Sequence, residues 1–362
     1  MKIKTNKEEL QAAIATVSNI VSPKATLPIL SNMLLETKDN VLKLNTTDLD
    51  IGISCELSVN VYEQGAITIP AKRFSDIVRE LPSGDVMIMA RKNNQIDIEG
   101  SNCRFKLNGL PKEEFPKFPE FKDKDIVLIK QADLKEMIKL TSFAVSYEES
   151  RYVLNGILLE VAADTIRMVA TDGRRLAKIE KKLIQPAAKD FHTIIPIKAI
   201  NEISRNLKEE GSVSLLQGVN QILFNIDGIL IATRVIEGEF PNYKQVIPKE
   251  IPNKVRIKTA AHLAAIRRAN LLSTPDFQAV KFELFKDKLV ISKSTPDVGE
   301  HREEIDIQYG HQELMAGFNP QFFIDVLKNV PYEEIELEFL GPDKPCVLRM
   351  PDYLYLALPM RL

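Results

Sequence analysis

The chain has 362 residues, 44% of them hydrophobic and 27% charged; this gives room for two or three globular domains and excludes low-complexity and fibrous classes. Its 48 basic and 50 acidic side chains leave a net charge of −2, so no overall positive field draws it to nucleic acid or membrane, and any polyanion contact has to come from local charge. No apolar run approaches the roughly 20 residues of a membrane span, the polar start Met1 to Glu9 does not read as a signal peptide, and three scattered cysteines (Cys55, Cys103, Cys346) without CxxC spacing indicate a reducing cytoplasm.

In chain order, a Thr5-x-x-Glu8 capping box opens a helix with Leu10, Ala13, Ile14 and Val17 on one face. Leu27 to Glu36, Val41 to Leu44 and Ile51 to Leu57 read as strands, with Thr47-Asp48-Leu49 between the last two. Ala66 to Pro70 leads into a second helix (Phe74, Ile77, Val78, Leu81) that Pro82-Ser83-Gly84 stops, and alternating strands run from Val86 to Leu107. The same order then returns. A helix carries Leu134, Met137 and Ile138; Leu154 to Glu160 echoes Leu30 to Glu36; Thr171-Asp172-Gly173 echoes Thr47-Asp48-Leu49; and Thr193 to Pro196 precedes a helix with Ile200, Ile203 and Leu207. The exits match too, Leu110 to Pro116 beside Val235 to Pro241. A third, more divergent copy has a helix with Leu263 and Ile266, strands over 279–285 and 288–292, and Pro320 just inside the start of a helix with Phe323, Val326, Leu327 and Val330. Landmarks lie 123 to 126 residues apart (Asp48 to Asp172, Pro70 to Pro196, Pro196 to Asn319). Repeats of this length indicate three homologous α+β domains over 1–121, 122–249 and 250–362, each large enough for its own core.

Catalytic signatures are scarce. There is no GxxxxGK[ST] and no GxGxxG between strand and helix, and His192, His262, His301 and His311 show no metal-ligand spacing, so each reads as a solvated loop or helix residue. Thr171-Asp172-Gly173 could present a catalytic Asp after a strand. The stronger reading is a turn, with Gly173 at positive φ and Asp172 bonding the backbone, because no base, nucleophile or metal partner accompanies it. The chain reads as a non-enzyme without cofactor. The six helical windows together hold four more basic than acidic residues, which leaves the rest of the chain six to the acidic side. Lys7, Arg73, Arg79, Lys139, Lys198, Arg205, Lys208, Arg267, Arg268 and Lys328 lie off the apolar stripes. That describes either an ordinary solvated face or a shared basic surface that meets phosphates without reading sequence.

Together with the repeats, Thr26-Leu27-Pro28-Ile29-Leu30, Arg151-Tyr152-Val153-Leu154-Asn155-Gly156, Thr171-Asp172-Gly173-Arg174-Arg175-Leu176, Phe240-Pro241-Asn242-Tyr243 and Leu358-Pro359-Met360-Arg361-Leu362 resemble the bacterial DNA polymerase III beta subunits, the sliding clamps, over the whole chain. The resemblance implies a head-to-tail homodimer closed into a six-domain ring around double-stranded DNA, helices inside and sheets outside. It implies the replicative polymerase, an ATP-dependent clamp loader and other proteins with clamp-binding motifs as partners, and no membrane. By similarity Lys24, Tyr152, Lys198, Arg205 and Arg267 face DNA. A partner-peptide pocket falls on Leu154, Thr171, Gly173, Arg175, Leu176, Pro241, Val246, Phe322, Leu358, Pro359, Met360, Arg361 and Leu362, where Arg175 orients the polar end of a bound peptide. The dimer contact falls on Phe105 and Leu107 against Leu271 and Leu272, with Arg73 facing Glu303 or Glu304. Gln245, Phe322 and Val153 depart from the Arg, Tyr and Tyr common in related clamps, which bears on peptide preference. Two other readings compete: a protein-only scaffold, favoured by the near-zero charge, and a metal-independent hydrolase using Asp172.

Overall fold

The computed structural model describes residues 1–22, 26–121, 125–249 and 253–362, and within them one order of elements recurs three times. The first repeat runs β1 (Lys2–Asn6), α1 (Lys7–Ser18), β2 (Asn32–Lys38), β3 (Val41–Thr47), β4 (Ile51–Ser58), β5 (Asn60–Glu63), β6 (Ala66–Pro70), α2 (Ala71–Glu80), β7 (Asp85–Ala90), β8 (Gln95–Gly100) and β9 (Cys103–Asn108). The second is β10 (Val127–Lys130), α3 (Gln131–Thr141), β11 (Gly156–Ala162), β12 (Thr165–Thr171), β13 (Arg175–Lys182), β14 (Phe191–Pro196), α4 (Ile197–Asn206), β15 (Ser212–Gln217), β16 (Gln221–Ile226) and β17 (Ile229–Arg234). The third is β18 (Asn253–Lys258), α5 (Thr259–Asn270), β19 (Val280–Phe285), β20 (Lys288–Thr295), β21 (Gly299–Asp306), β22 (Leu314–Phe318), α6 (Pro320–Asn329), β23 (Glu334–Phe339), β24 (Cys346–Arg349) and β25 (Tyr353–Ala357).

The chain packs as two compact units that divide the second repeat. One holds Met1–Ala132, Ile184–Ala188 and Lys198–Val235, the other Asp133–Leu183, Lys189–Ile197 and Ile236–Leu362. The first unit contains the sheet β5-β1-β7-β8-β9 and the eight-stranded sheet β10-β15-β16-β17-β4-β3-β2-β6; the second contains β14-β11-β12-β13-β25-β24-β23-β18 and β21-β20-β19-β22. Each eight-stranded sheet is therefore a joint between two repeats, and both joints have the same antiparallel register. Ala232 stands opposite Gly52 at β17–β4, and Leu356 opposite Leu176 at β25–β13. Each joint continues one residue further, Arg234 N donating to Asp50 O and Leu358 N to Arg174 O, both at 2.8 Å.

Helices bury their apolar stripes against these sheets and each other. Leu10, Ile14 and Val17 of α1 and Phe74 and Val78 of α2 are fully covered in the first unit, as are Ile266 of α5 and Phe323 and Val326 of α6 in the second. The cap of α1 differs from expectation: Thr5 is a buried strand residue opposite Val86, and Asn6 accepts from the N–H groups of Glu8 and Glu9 instead. The strand expected over Leu27 to Glu36 opens as a 3-10 turn, Pro28–Ser31, because Pro28 offers no N–H to a ladder.

The turns entering β4 and β13 agree bond for bond. Asp48 Oδ1 accepts from Asp50 N (3.0 Å) and Ile51 N (2.7 Å); Asp172 Oδ1 accepts from Arg174 N (2.9 Å) and Arg175 N (3.0 Å). Thr47 and Thr171 each donate to the carbonyl four residues on. The residue at positive φ is Leu49 in one turn and Gly173 in the other. Each repeat also exits along its fourth sheet strand: Leu110 bonds Thr68 of β6, Ile236 bridges Ile194 of β14, and Met360 bridges Gly317 of β22.

His262 corrects the expectation that the histidines are solvated. It is fully buried in α5, its ring edge-on to Phe282 (5.6 Å) and Phe323 (6.0 Å), and neither nitrogen has a hydrogen-bond partner. The apolar stripe of the helix claims position 262 whatever its polarity. Burial pushes its pKa down to about 3 from 6.5, so between those values the unfolded chain takes up a proton that the native state refuses, and stability falls by about 1.4 kcal/mol per pH unit below 6.5. His262→Leu should therefore lose about 2 kcal/mol less than the parent between pH 7.5 and pH 5 in urea unfolding. An identical pH slope in both proteins would contradict this account.

Candidate functional site

Asp172 sets Arg175 in place. With Oδ1 closing the turn, Oδ2 accepts from Arg175 Nε at 2.9 Å. The guanidinium then reaches two further elements: Nη1 donates to Asp325 Oδ2 of α6 at 2.6 Å, and Nη2 to the carbonyl of Phe143, just past α3, at 2.5 Å. Its carbon lies 4.8 Å from the centre of the Phe322 ring and 5.7 Å from that of Phe143. Tyr355 of β25 backs the group and donates to Phe322 O at 2.8 Å. Burial by itself would lower the Arg175 pKa, but Tyr355, Asp325 and Asp172 outweigh it and raise it, so the cation persists. The arginine expected to orient a bound peptide has these three bonds directed into the protein. Asp172 likewise has both oxygens engaged, in the turn and the ion pair, an arrangement that holds a framework.

The other expected pocket residues also belong to the second unit. Leu154 is buried, Phe322 is buried with its ring against the guanidinium, and Thr171 is buried with its hydroxyl bound to Arg175 O at 2.6 Å. Gly173 has φ +86°, a left-handed conformation that favours glycine, and lies close to the Arg151 guanidinium, which donates to Asp172 O at 3.0 Å. Leu176 belongs to a buried cluster with Leu158, Val169, Tyr243, Leu354 and Leu356. Tyr243 heads the short turn Tyr243–Val246, and its hydroxyl donates to Glu160 Oε2 at 2.7 Å, a carboxylate that Arg167 also binds at 2.8 Å. That anchor leaves Val246 at 53% exposure, beside the exposed Pro241. The tail is ordered through Leu358 N on Arg174 O and Met360 N on Gly317 O, both 2.8 Å. Leu358, Arg361 and Leu362 remain exposed, Pro359 and Met360 half-buried. A Cβ on Gly317 would meet Leu362 Cδ2 at 2.8 Å, which shows how closely the tail lies on that strand.

Sequence reading missed Asp325, Phe143, Tyr355, Tyr243 and Gly317. One signal was available for the first: Asp76, Glu202 and Asp325 are each the sixth residue of α2, α4 and α6. In the first unit Glu202 does related work, buried beside Asn19 at the C-cap of α1, its carboxyl pushed up by burial.

Of the expected DNA-facing residues, Lys24 lies outside the described residues. Tyr152 is exposed in the turn Glu149–Leu154, and Arg267 in the last turn of α5. Lys198 pairs with Asp48 and Arg205 with Glu202. Arg79, Lys208 and Arg268 are paired as well, with Asp76 (2.7 Å), Asp227 (3.1 Å) and Glu303 (2.8 Å). Phe105 and Leu107 lie on the edge strand β9, and Glu303 and Glu304 on the edge strand β21. Leu271 is 81% exposed after α5, Leu272 is half-buried and Arg73 is exposed on α2.

Three family profiles match in succession: the DNA polymerase III beta subunit N-terminal domain over residues 1–119, its central domain over 128–242 and its C-terminal domain over 244–361. The beta sliding clamp of Chlamydia pneumoniae is 33% identical over 364 residues, covering 100% of this chain and 99% of the relative. That of Escherichia coli K12 is 30% identical over 369 residues, covering all of both chains. Among solved structures, the DNA polymerase sliding clamp from Bacillus subtilis superposes with a TM-score of 0.96 at 29% identity over 100% of this chain and 99% of the other. The sliding clamp from Pseudomonas aeruginosa gives 0.95 at 30% identity over all of both chains.

The Arg175 knot is open to measurement. Arg175→Leu leaves Asp172 and Asp325 without their shared counter-charge and should cost about 3–5 kcal/mol in urea unfolding. Asp325→Asn should cost less, and the double variant less than the two single losses combined. A loss under about 1 kcal/mol for Arg175→Leu would remove the knot from its structural role.

Proposed function

Because this chain belongs to the DNA polymerase III beta subunit family, the beta sliding clamps, we infer that it encircles duplex DNA and tethers the replicative polymerase to its template, with no catalysis of its own. The domains we place at 1–121, 122–249 and 250–362. The observation that carries the ring is the repeated joint. The last strand of the second repeat pairs with the third sheet strand of the first (β17–β4), and the last strand of the third repeat with the third of the second (β25–β13). The same rule leaves β9 and β21 open, and a second copy offers the complement of each. Such a head-to-tail contact closes when two half-rings meet.

Carrying the joint register over sets Lys106 opposite Glu300 and Phe105 opposite His301 across the dimer. The charges agree: β9 holds Arg104 and Lys106, whereas β21 holds four acidic residues and one arginine. Leu107, Leu271 and Leu272 would add apolar contact, and Arg73 a rim charge near Glu303 or Glu304. In a Cys103→Ser background, Phe105→Cys with His301→Cys should give an oxidised covalent dimer on non-reducing gels. Covalent dimer formation from Phe105→Cys alone, or none from the pair, would contradict this register.

The partner site we assign to the cleft around Leu176, Val246 and Leu358, with Leu154 and Phe322 as floor and Pro241, Pro359, Met360, Arg361 and Leu362 as rim. Its occupants would be linear peptides with a Gln and paired Leu/Phe residues, apolar anchors supplying most of the affinity. Arg175, Thr171 and Gly173 would act by holding its wall. Tyr152, Lys198, Arg205, Arg267 and Lys24 are our DNA-facing set. Lys198 and Arg205 already have acidic partners, which supports a weak, sequence-blind grip of about 10⁻⁴–10⁻⁶ M. Retention then depends on topology, and an ATP-driven loader would open the ring. We place the protein in the cytoplasm; among the described residues no helix is long and apolar enough to cross a membrane.

Loaded by such a loader onto nicked circular DNA, the protein should stay on the circles through gel filtration at raised salt and leave once a restriction cut linearises them. Equal loss from both forms would sink the ring and leave a protein-only scaffold.

A further inference from the structure

Past the Leu110–Thr68 contact the exit of the first repeat runs on as a covering strip. It lays Phe115 onto Ile29 and Leu30, and Phe118 onto Leu216, Leu223 and Ala232. Between this strip and the first eight-stranded sheet is a cleft of about 640 Å³, the size of an ordinary small-molecule site. Its lining belongs wholly to the first unit and shares no residue with the pocket around Leu176.

One row of the sheet runs beneath the strip: Leu34, Asn45, Ser54, Leu230 and Asn225 stand directly opposite one another on β2, β3, β4, β17 and β16. Leu34, Asn45, Leu230 and Asn225 line the cleft, and Ser54 lies between two of them. Asn45 is 4% exposed and Ser54 1%, yet neither Asn45 Oδ1 nor Ser54 Oγ has a hydrogen-bond partner. A buried polar atom left unpaired destabilises a fold. The fold does not demand one here. The corresponding row at the second joint runs Leu158, Val169, Lys178 and Leu354, with Val169 fully buried at the position of Asn45.

The chemistry of the pair selects a ligand. Asn45 Oδ1 accepts, and the Ser54 hydroxyl can donate. Side chains directly opposite on neighbouring strands stand about 5 Å apart at Cβ, so one ligand edge reaches both. An amide edge, with N–H beside C=O, offers the donor that Asn45 needs and the acceptor that Ser54 needs. Leu34, Leu230, Phe115 and Phe118 add apolar surface suited to a flat ring. Lys43, Lys112 and Lys117 are balanced in the lining by Glu36, Glu113 and Glu120, so charge selects no ion. We propose that this cleft is a binding site for a small, uncharged, planar heterocycle with an amide edge, which pairs with Asn45 and Ser54.

The probe is isocarbostyril, a flat bicyclic lactam, titrated against the whole protein in saturation-transfer NMR. Saturable binding is expected, weakened about fivefold by Asn45→Val and by Ser54→Ala. Asn45→Val should unfold in urea no earlier than the parent, since it removes an unpaired group and takes the residue used at the second joint. N-methylisocarbostyril, which lacks the N–H, should bind the parent about fivefold more weakly and be indifferent to Asn45→Val. That comparison needs only the parent protein. Propionamide, an amide edge without a ring, should bind far more weakly, which separates a heterocycle from the glutamine side chain of a partner. Absence of saturation, equal binding of the two lactams, an unchanged affinity in Asn45→Val or equal binding of propionamide would each overturn the site. So would displacement by a peptide with a Gln and paired Leu/Phe residues, and none of these outcomes alters the case for the pocket around Leu176.

Discussion

An open antiparallel edge is a row of unpaired N–H and C=O groups, and a protein has to pair it, cover it or pay in misassociation. This chain meets that constraint twice by joining repeats strand to strand, β17 on β4 and β25 on β13, in one register. The sheets therefore do not coincide with the repeats, and the second repeat contributes strands to both compact units. The edges at β6, β14 and β22 are met differently, by the exit of the same repeat. Of the remaining edges, β9 and β21 are the two that correspond to the strands joined elsewhere in the chain, and the proposed dimer extends that rule between copies.

The two joints differ in what they present. At the first, Gly52 faces Phe118, whose ring would lie 3.2 Å from a Cβ at that glycine, and the aromatic from the covering strip closes the surface. At the second, the equivalent residue is Leu176, flanked by Tyr243 held on Glu160. The turn preceding each joint is the same, but Asp48 turns its free oxygen to Lys198, whereas Asp172 binds Arg175 and through it α6 and the end of α3. A planar guanidinium can serve three directions at once where an ammonium on a long stem serves as a point charge. The second joint is thereby held firmly enough to carry exposed apolar residues such as Val246 and Leu358.

Charge follows the same economy. Five of the ten basic side chains that lie off the apolar stripes are matched within the protein: Arg79, Lys198, Arg205, Lys208 and Arg268 each have an acidic neighbour. Of these, Arg79–Asp76 and Lys208–Asp227 are exposed on both sides, and pairs of that kind contribute little and exchange readily for another anion.

Much of this was legible in the amino-acid sequence. The repeat landmarks, the helix stripes and the Thr171-Asp172-Gly173 turn depend on local periodicity and on backbone preferences of single residues, which act over a few positions. The residues around the pocket were legible through resemblance and could be named without their contacts. Tertiary structure alone decided that Arg175 faces inward, because its partners Asp325 and Phe143 lie 150 and 32 residues away and only folding brings them within hydrogen-bond reach. It decided that His262 is buried without a partner, since a helix stripe admits whatever residue falls at that angle. It also decided which strands meet across repeats, because edge pairing is set by backbone hydrogen bonds that carry no side-chain signature in the sequence.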